Sequence, residues 1–144
     1  MTFEDEFSGK QTDMISLALE YTEKVGKKVD AVYIFNSYES MYSFYLFFNM
    51  NGKILKIHQL ADNIDQSLMF QVLQLGNQDL QALDKICQKY QQPTPTQIKL
   101  VYDVTKNSVD AHYSYDTFYS DSDTLTPDDI FNQWYEEVKA EVEK

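Results

Sequence analysis

The stretch Tyr42-Ser43-Phe44-Tyr45-Leu46-Phe47-Phe48-Asn49-Met50-Asn51-Gly52-Lys53-Ile54-Leu55-Lys56 decides how the fold is read. Aromatic and aliphatic residues dominate on both sides of Asn51-Gly52, a pair suited to a type I′ turn because both central residues must take positive φ. The segment therefore predicts two antiparallel strands, Tyr42 to Met50 and Lys53 to Gln59. Immediately upstream, Ala31-Val32-Tyr33-Ile34-Phe35 has the β-branched and aromatic character of another strand, joined to Tyr42 by a short turn near Glu39-Ser40. Further upstream, Thr2 precedes Glu4, Asp5 and Glu6, acids that suit the positive end of a helix dipole. Apolar residues then recur at Phe3, Phe7, Met14, Ala18, Tyr21 and Val25. This predicts one amphipathic helix over 3–25, weakened by Gly9 and ended by Gly26.

Downstream, helical periodicity returns between Ala61 and Gln92, with Leu80, Leu83, Ile86, Cys87 and Tyr90 on one face. Gly76-Asn77 is expected to divide this segment, with Asn77 capping the second piece. Pro93-Thr94-Pro95-Thr96 forces an extended connection. Ile98, Leu100, Tyr102 and Val104 alternate with polar residues, as do Val109, Ala111, Tyr113 and Tyr115, so Thr105-Lys106-Asn107 is the turn of a second hairpin with one apolar face. Thr126-Pro127-Asp128-Asp129 starts a last helix, whose buried stripe is Ile130, Phe131, Trp134, Val138 and Val142. The expectation is a single α+β domain over 1–144, in the order α-βββ-α-ββ-α, with a five-stranded antiparallel sheet and helices packed on one face.

Charge narrows the function. The chain carries 23 acidic and 12 basic residues, a net charge of -11, and Arg is absent. Direct nucleic-acid binding is disfavoured, since that affinity comes from cations displacing counterions. A basic protein partner is favoured instead. The lone Cys87 points to a reducing compartment. The acidic N-terminal residues, and the lack of an apolar run near the roughly 20 residues that cross a bilayer, predict a cytosolic protein without a membrane role.

No catalytic residue, metal or cofactor is expected. His58 and His112 stand in predicted strands without a nucleophile motif, and Cys87 falls on an apolar helical face. One Cys and two distant His give no zinc spacing. Asp121-Ser122-Asp123 lacks the glycine and distal glutamate of a calcium loop. None of the four Gly lies in a phosphate-cradling motif. What stands out is a charge block: no basic residue occurs between Lys106 and Lys139, while Asp110, Asp116, Asp121, Asp123, Asp128, Asp129, Glu136 and Glu137 do. Tyr113, Tyr115, Phe118, Tyr119, Trp134 and Tyr135 are interleaved, and acids with large aromatics suit recognition of a basic target. The candidate partner-binding residues are Asp116, Phe118, Tyr119, Asp121, Asp123, Asp128 and Asp129, with Trp134 expected to be structural. A second candidate surface is the sheet face around Lys99, Val101, Asp103, Asp110 and His112.

The chain resembles the YezG-type immunity proteins, antitoxins of Gram-positive bacteria. The resemblance runs through Tyr33-Ile34-Phe35-Asn36-Ser37-Tyr38-Glu39, Phe47-Phe48 with Asn51-Gly52-Lys53, and Pro95-Thr96-Gln97-Ile98-Lys99-Leu100-Val101-Tyr102-Asp103-Val104. It continues through Ala111-His112-Tyr113-Ser114-Tyr115-Asp116 and Pro127-Asp128-Asp129-Ile130-Phe131-Asn132-Gln133-Trp134. It implies a cytoplasmic, non-enzymatic neutraliser of a polymorphic toxin, often an LXG-type toxin exported by type VII secretion and commonly a nuclease. The partner would be that toxin's basic C-terminal domain. The rival reading is a small-molecule-binding or enzymatic domain with a pocket lined by Tyr33, Tyr42, Tyr45 and His58.

Overall fold

A computed structural model describes residues 1–144. The first helix, α1, spans Phe3–Lys24 and opens on a reciprocal cap, in which Thr2 accepts from the Asp5 N–H and Asp5 accepts from the Thr2 N–H. It closes on a Schellman turn: Gly26 takes φ +74° and Lys27 donates to the Thr22 carbonyl at 2.9 Å. Strands β1 (Ala31–Tyr38), β2 (Tyr42–Met50) and β3 (Lys53–Lys56) follow. Asn51 and Gly52 have φ of 54° and 83°, the signs required by the hairpin turn. The third strand is shorter than its sequence suggests, because Ile57–Gln59 coil into a 3₁₀ turn.

Helix α2 (Gln66–Lys89) is uninterrupted, which corrects the expected division at Gly76-Asn77. Gly76 is buried because the Phe44 ring lies on it, so close that a Cβ would sit 2.2 Å from a ring carbon. Asn77 does not cap a helix; its amide donates to the Tyr42 carbonyl at 2.9 Å. The N-cap is Asp65, accepting from the Ser67 N–H. Strands β4 (Gln97–Asp103) and β5 (Ser108–Ser114) form the second hairpin, and α3 (Pro127–Val142) starts on a Thr126–Asp129 capping box with Pro127 in the first turn.

The sheet is antiparallel throughout, in the order β3-β2-β1-β4-β5. The expectation that all helices share one face is corrected. Helices α1 and α2 cover one side, where Met14, Ala18, Tyr21, Leu80 and Leu83 meet Val32, Ile34, Phe48, Ile98 and Leu100. Helix α3 covers the other, where Ile130, Phe131, Trp134 and Tyr135 meet Ala31, Tyr33, Phe35, Phe47 and Ile54. The central strand β1 is apolar at successive positions because both of its faces are buried. Trp134 is structural, at 8% exposure, with its ring centroid 5.0 Å from that of Phe47 and 6.0 Å from that of Tyr33. Cys87 is a buried free thiol in the α1/α2 core. No helix is long and apolar enough to cross a membrane.

The two edges of the sheet are treated differently. At the β3 edge, Ile54 donates its outward N–H to Glu143 of α3 at 2.8 Å, and its carbonyl accepts from the Tyr135 hydroxyl at 3.2 Å. The Lys56 N–H is taken by Gln59 at 2.9 Å. The Ile54 N–H, followed by Lys139, holds the Glu143 carboxyl below the usual carboxylate range. At the β5 edge no side chain bonds to the outward backbone groups.

Candidate partner-binding surface

The segment from Tyr115 to Leu125 has no helix or strand of its own, yet it is held at several points along its length. Near its start, the Thr96 hydroxyl donates to the Asp116 carbonyl at 2.6 Å. In its middle, Glu39 reaches over from the β1–β2 turn and accepts from the backbone N–H groups of Phe118, Tyr119 and Ser120 at 2.9, 3.3 and 3.1 Å, and from the Ser120 hydroxyl at 2.7 Å. Successive N–H groups converging on one carboxylate form an anion nest. Burial pushes the Glu39 carboxyl up, but the Ser120 hydroxyl and the three N–H groups together outweigh it and hold the group below its ordinary range. At its end, the Ser122 hydroxyl accepts from the N–H groups of Thr124 and Leu125 before the α3 cap begins.

This framework sorts the seven sequence-derived candidates. Tyr119 is 6% exposed, packed into the α3-side core, with its hydroxyl 3.3 Å from the Ser40 N–H; it is an anchor of the segment and not a free contact. Phe118 is half-buried against the same core. Asp129 is committed to the α3 capping box, and Asp128 accepts from the Tyr45 hydroxyl. Tyr45 is pushed upward by burial and then by that bond. Asp121 is exposed and accepts from the Thr117 hydroxyl at 2.7 Å. Asp116 and Asp123 are exposed, with no side-chain hydrogen bond. Of the seven candidates, Asp116, Asp121 and Asp123 present charge to solvent, while the other four help to hold the segment in place. Glu39 is the residue that sequence reading missed. Its only local signal was a place in a turn, and the partners it holds lie 79 to 81 positions away.

Beside this segment lies the second candidate surface. Helix α3 sits over β1, β2 and β3 and only reaches the edge of β4, so Lys99, Val101 and Asp103 are half-buried and Asp110 and His112 of β5 are exposed. Lys99 Nζ lies 5.7 Å from the Trp134 ring centroid, which places that lysine at the foot of α3. Tyr33, paired with Val101 in the neighbouring strand, has its phenol raised chiefly by burial, against which a hydrogen bond with Asn49 acts, with Asp103 and Glu141 adding a smaller upward push. His112 and Asp110 form an exposed pair at 3.5 Å, with no hydroxyl or thiol bonded to the imidazole.

The rival pocket is not assembled. Tyr33 and Tyr45 lie under α3, Tyr42 lies on the opposite face where its hydroxyl donates to buried Asp84 at 2.5 Å, and His58 is exposed in the 3₁₀ turn. Side chains alternate across a strand, so Tyr42 and Tyr45 cannot share a cavity. The largest groove, about 690 Å³, lies instead at the C-terminal end of α1 between Leu19, Thr22, Gly26 and Val104. Nowhere do three or more His, Cys, Asp or Glu side chains converge as metal ligands. No family model matches the chain, and no curated protein is significantly similar to it.

Proposed function

We propose that this chain is an immunity protein of the kind its sequence resembles, which binds the basic C-terminal domain of a secreted toxin in the cytosol and works by occupation and not by catalysis. The observation that carries the reading is the braced acidic segment. A loop hydrogen-bonded to Glu39 presents Asp116, Asp121 and Asp123 on the same molecule as a sheet face that carries Asp103 and Asp110, within a net charge of -11. Holding the charges in place before the encounter reduces the ordering cost of binding. The negative field accelerates capture of a basic partner, and a nuclease cleft, which must bind phosphate, is basic.

The reading is tested by co-expressing this chain with the C-terminal domain of the toxin encoded beside it. Restored growth and an equimolar complex on gel filtration are expected. Growth arrest despite abundant soluble protein, or the absence of any secreted-toxin gene nearby, sinks the reading.

A further inference from the structure

We infer that β5 pairs with β5 of a second copy of this chain, antiparallel about a two-fold axis at Ala111, to give one continuous sheet through two subunits. The first support is the state of the edge. Val104 donates its N–H to the Asp30 carbonyl at 2.9 Å, so even-numbered residues of β4 bond toward β1 and odd-numbered ones toward β5. With Val101 opposite Asp110, the even-numbered residues of β5 face β4, and the N–H and C=O groups of Val109, Ala111 and Tyr113 point off the sheet. The matching groups at the β3 edge are capped by Glu143, Tyr135 and Gln59. Those of β5 have no partner within the chain. An edge left open over seven residues is a template for pairing, and proteins ordinarily blunt such edges.

The second support is the order of side chains. Read about Ala111, the strand Ser108-Val109-Asp110-Ala111-His112-Tyr113-Ser114 is self-complementary. A two-fold axis there sets Ser108 against Ser114, Val109 against Tyr113, and Asp110 against His112 of the other copy. It also makes the outward-pointing residues the hydrogen-bonded pairs, as an antiparallel ladder requires. Directly opposed side chains are the units that stabilise such a ladder. Val109 and Tyr113, 54% and 41% exposed, share the α1/α2 side of the sheet and would cover one another. Tyr113 borders a groove of about 280 Å³ whose lining is part apolar, with Phe3, Phe7 and Tyr115, and part polar, with Glu4, Ser8 and Gln92, and Val109 of the second copy would lie beside it. On the other side Asp110 meets His112, a favourable pair in place of two like charges. Two-fold pairing uses the β5 edge of both copies and leaves only β3 edges, which Glu143, Tyr135 and Gln59 cap, so it ends at a dimer. The net charge of -11 on each copy opposes association, so the test belongs at physiological ionic strength, where screening acts over about 8 Å.

The experiment is sedimentation velocity on the full chain from micromolar to millimolar concentration, with amide hydrogen exchange at each end of the range. A reversible dimer is expected, with exchange at Val109, Ala111 and Tyr113 slowed as it forms. Ala111→Pro removes an outward N–H without touching the β4 ladder, a position where edge strands accept proline, and should abolish the dimer. His112→Asp should weaken it at least tenfold by opposing two carboxylates, and adding Asp110→His to that variant should restore it. The exchange change and the charge reversal keep the inference falsifiable even if the proline variant fails to fold. A chain monomeric throughout, or a dimer indifferent to both His112→Asp and Ala111→Pro, overturns it. Protection of these amides only on adding a toxin domain also overturns it and assigns the edge to that partner.

Discussion

Glu39 and Ser120 are joined twice: one carboxylate oxygen of Glu39 accepts from the Ser120 hydroxyl at 2.7 Å and from its backbone N–H at 3.1 Å. This contact fixes the acidic segment to the β1–β2 turn and so turns a loop into a shaped surface.

The pH dependence of that brace follows from its sign. The folded Glu39 carboxyl is held below its ordinary value of 4.5, so its stabilising contribution is fully present above 4.5 and is lost as pH falls through the lower folded value. Glu39→Gln should remove this acid-sensitive component and cost about 1 kcal/mol at neutral pH, toward the low end for bonds to a charged acceptor because the site is partly exposed. Amide exchange at Phe118, Tyr119 and Ser120 as a function of pH checks it. Equal protection in wild type and variant would show that the loop holds without Glu39.

Neutralising Asp116, Asp121 and Asp123 together to Asn should slow association with the proposed toxin partner and flatten its salt dependence, with a smaller effect on dissociation. Thermal stability should stay within about 0.5 kcal/mol of wild type, since these are surface positions. Asp128 and Asp129 are left in place because they bond to Tyr45 and cap α3. An unchanged association rate at low salt would move the interface to the shelf around Lys99, Val101, Asp103, Asp110 and His112.

Trp134→Ala should destabilise the protein by about 3–5 kcal/mol, because the indole fills the space between α3 and the rings of Tyr33, Phe35 and Phe47. Urea unfolding measures the loss. Full stability with lost partner binding would instead make Trp134 an interface residue.

Gly76→Ala sets two effects against each other. Alanine gains about 1 kcal/mol of helix propensity, but its Cβ would lie 2.2 Å from the buried Phe44 ring, and overpacking costs about 1–3 kcal/mol. The variant should melt below wild type, and a higher melting temperature would mean that Phe44 moves aside freely.

Asn36→Leu should stabilise. The Asn36 carbonyl oxygen is buried without a partner, and its amide reaches only the Met14 sulfur at 3.3 Å. An unsatisfied buried polar group costs about 1–3 kcal/mol, and a leucine of similar size removes it. A higher urea midpoint is expected; a lower one would show that Asn36 is satisfied in solution by water.

Features under local chemical control were legible in the sequence. Thr2, Gly26, Asn51-Gly52 and Thr126-Pro127 set caps and turns through their own backbone preferences, and periodicity placed α1, β2, β4, β5 and α3 within a few residues of their observed ends. Even the correction to the layering had a signal in the sequence: Ala31-Val32-Tyr33-Ile34-Phe35 does not alternate, and a strand without alternation is covered on both faces. Features that depend on partners far apart in the chain emerge only from the packing. Gly76 reads as a helix breaker until the Phe44 ring is seen to need its missing side chain. Tyr119 reads as a contact residue until its burial makes it an anchor. The symmetric order of Ser108 to Ser114 is written in the sequence, but only the strand order places it at an open edge, while α3 closes the opposite one. Hydrogen-bonding capacity belongs to every residue's backbone, and the packing of distant elements decides where it is left unused.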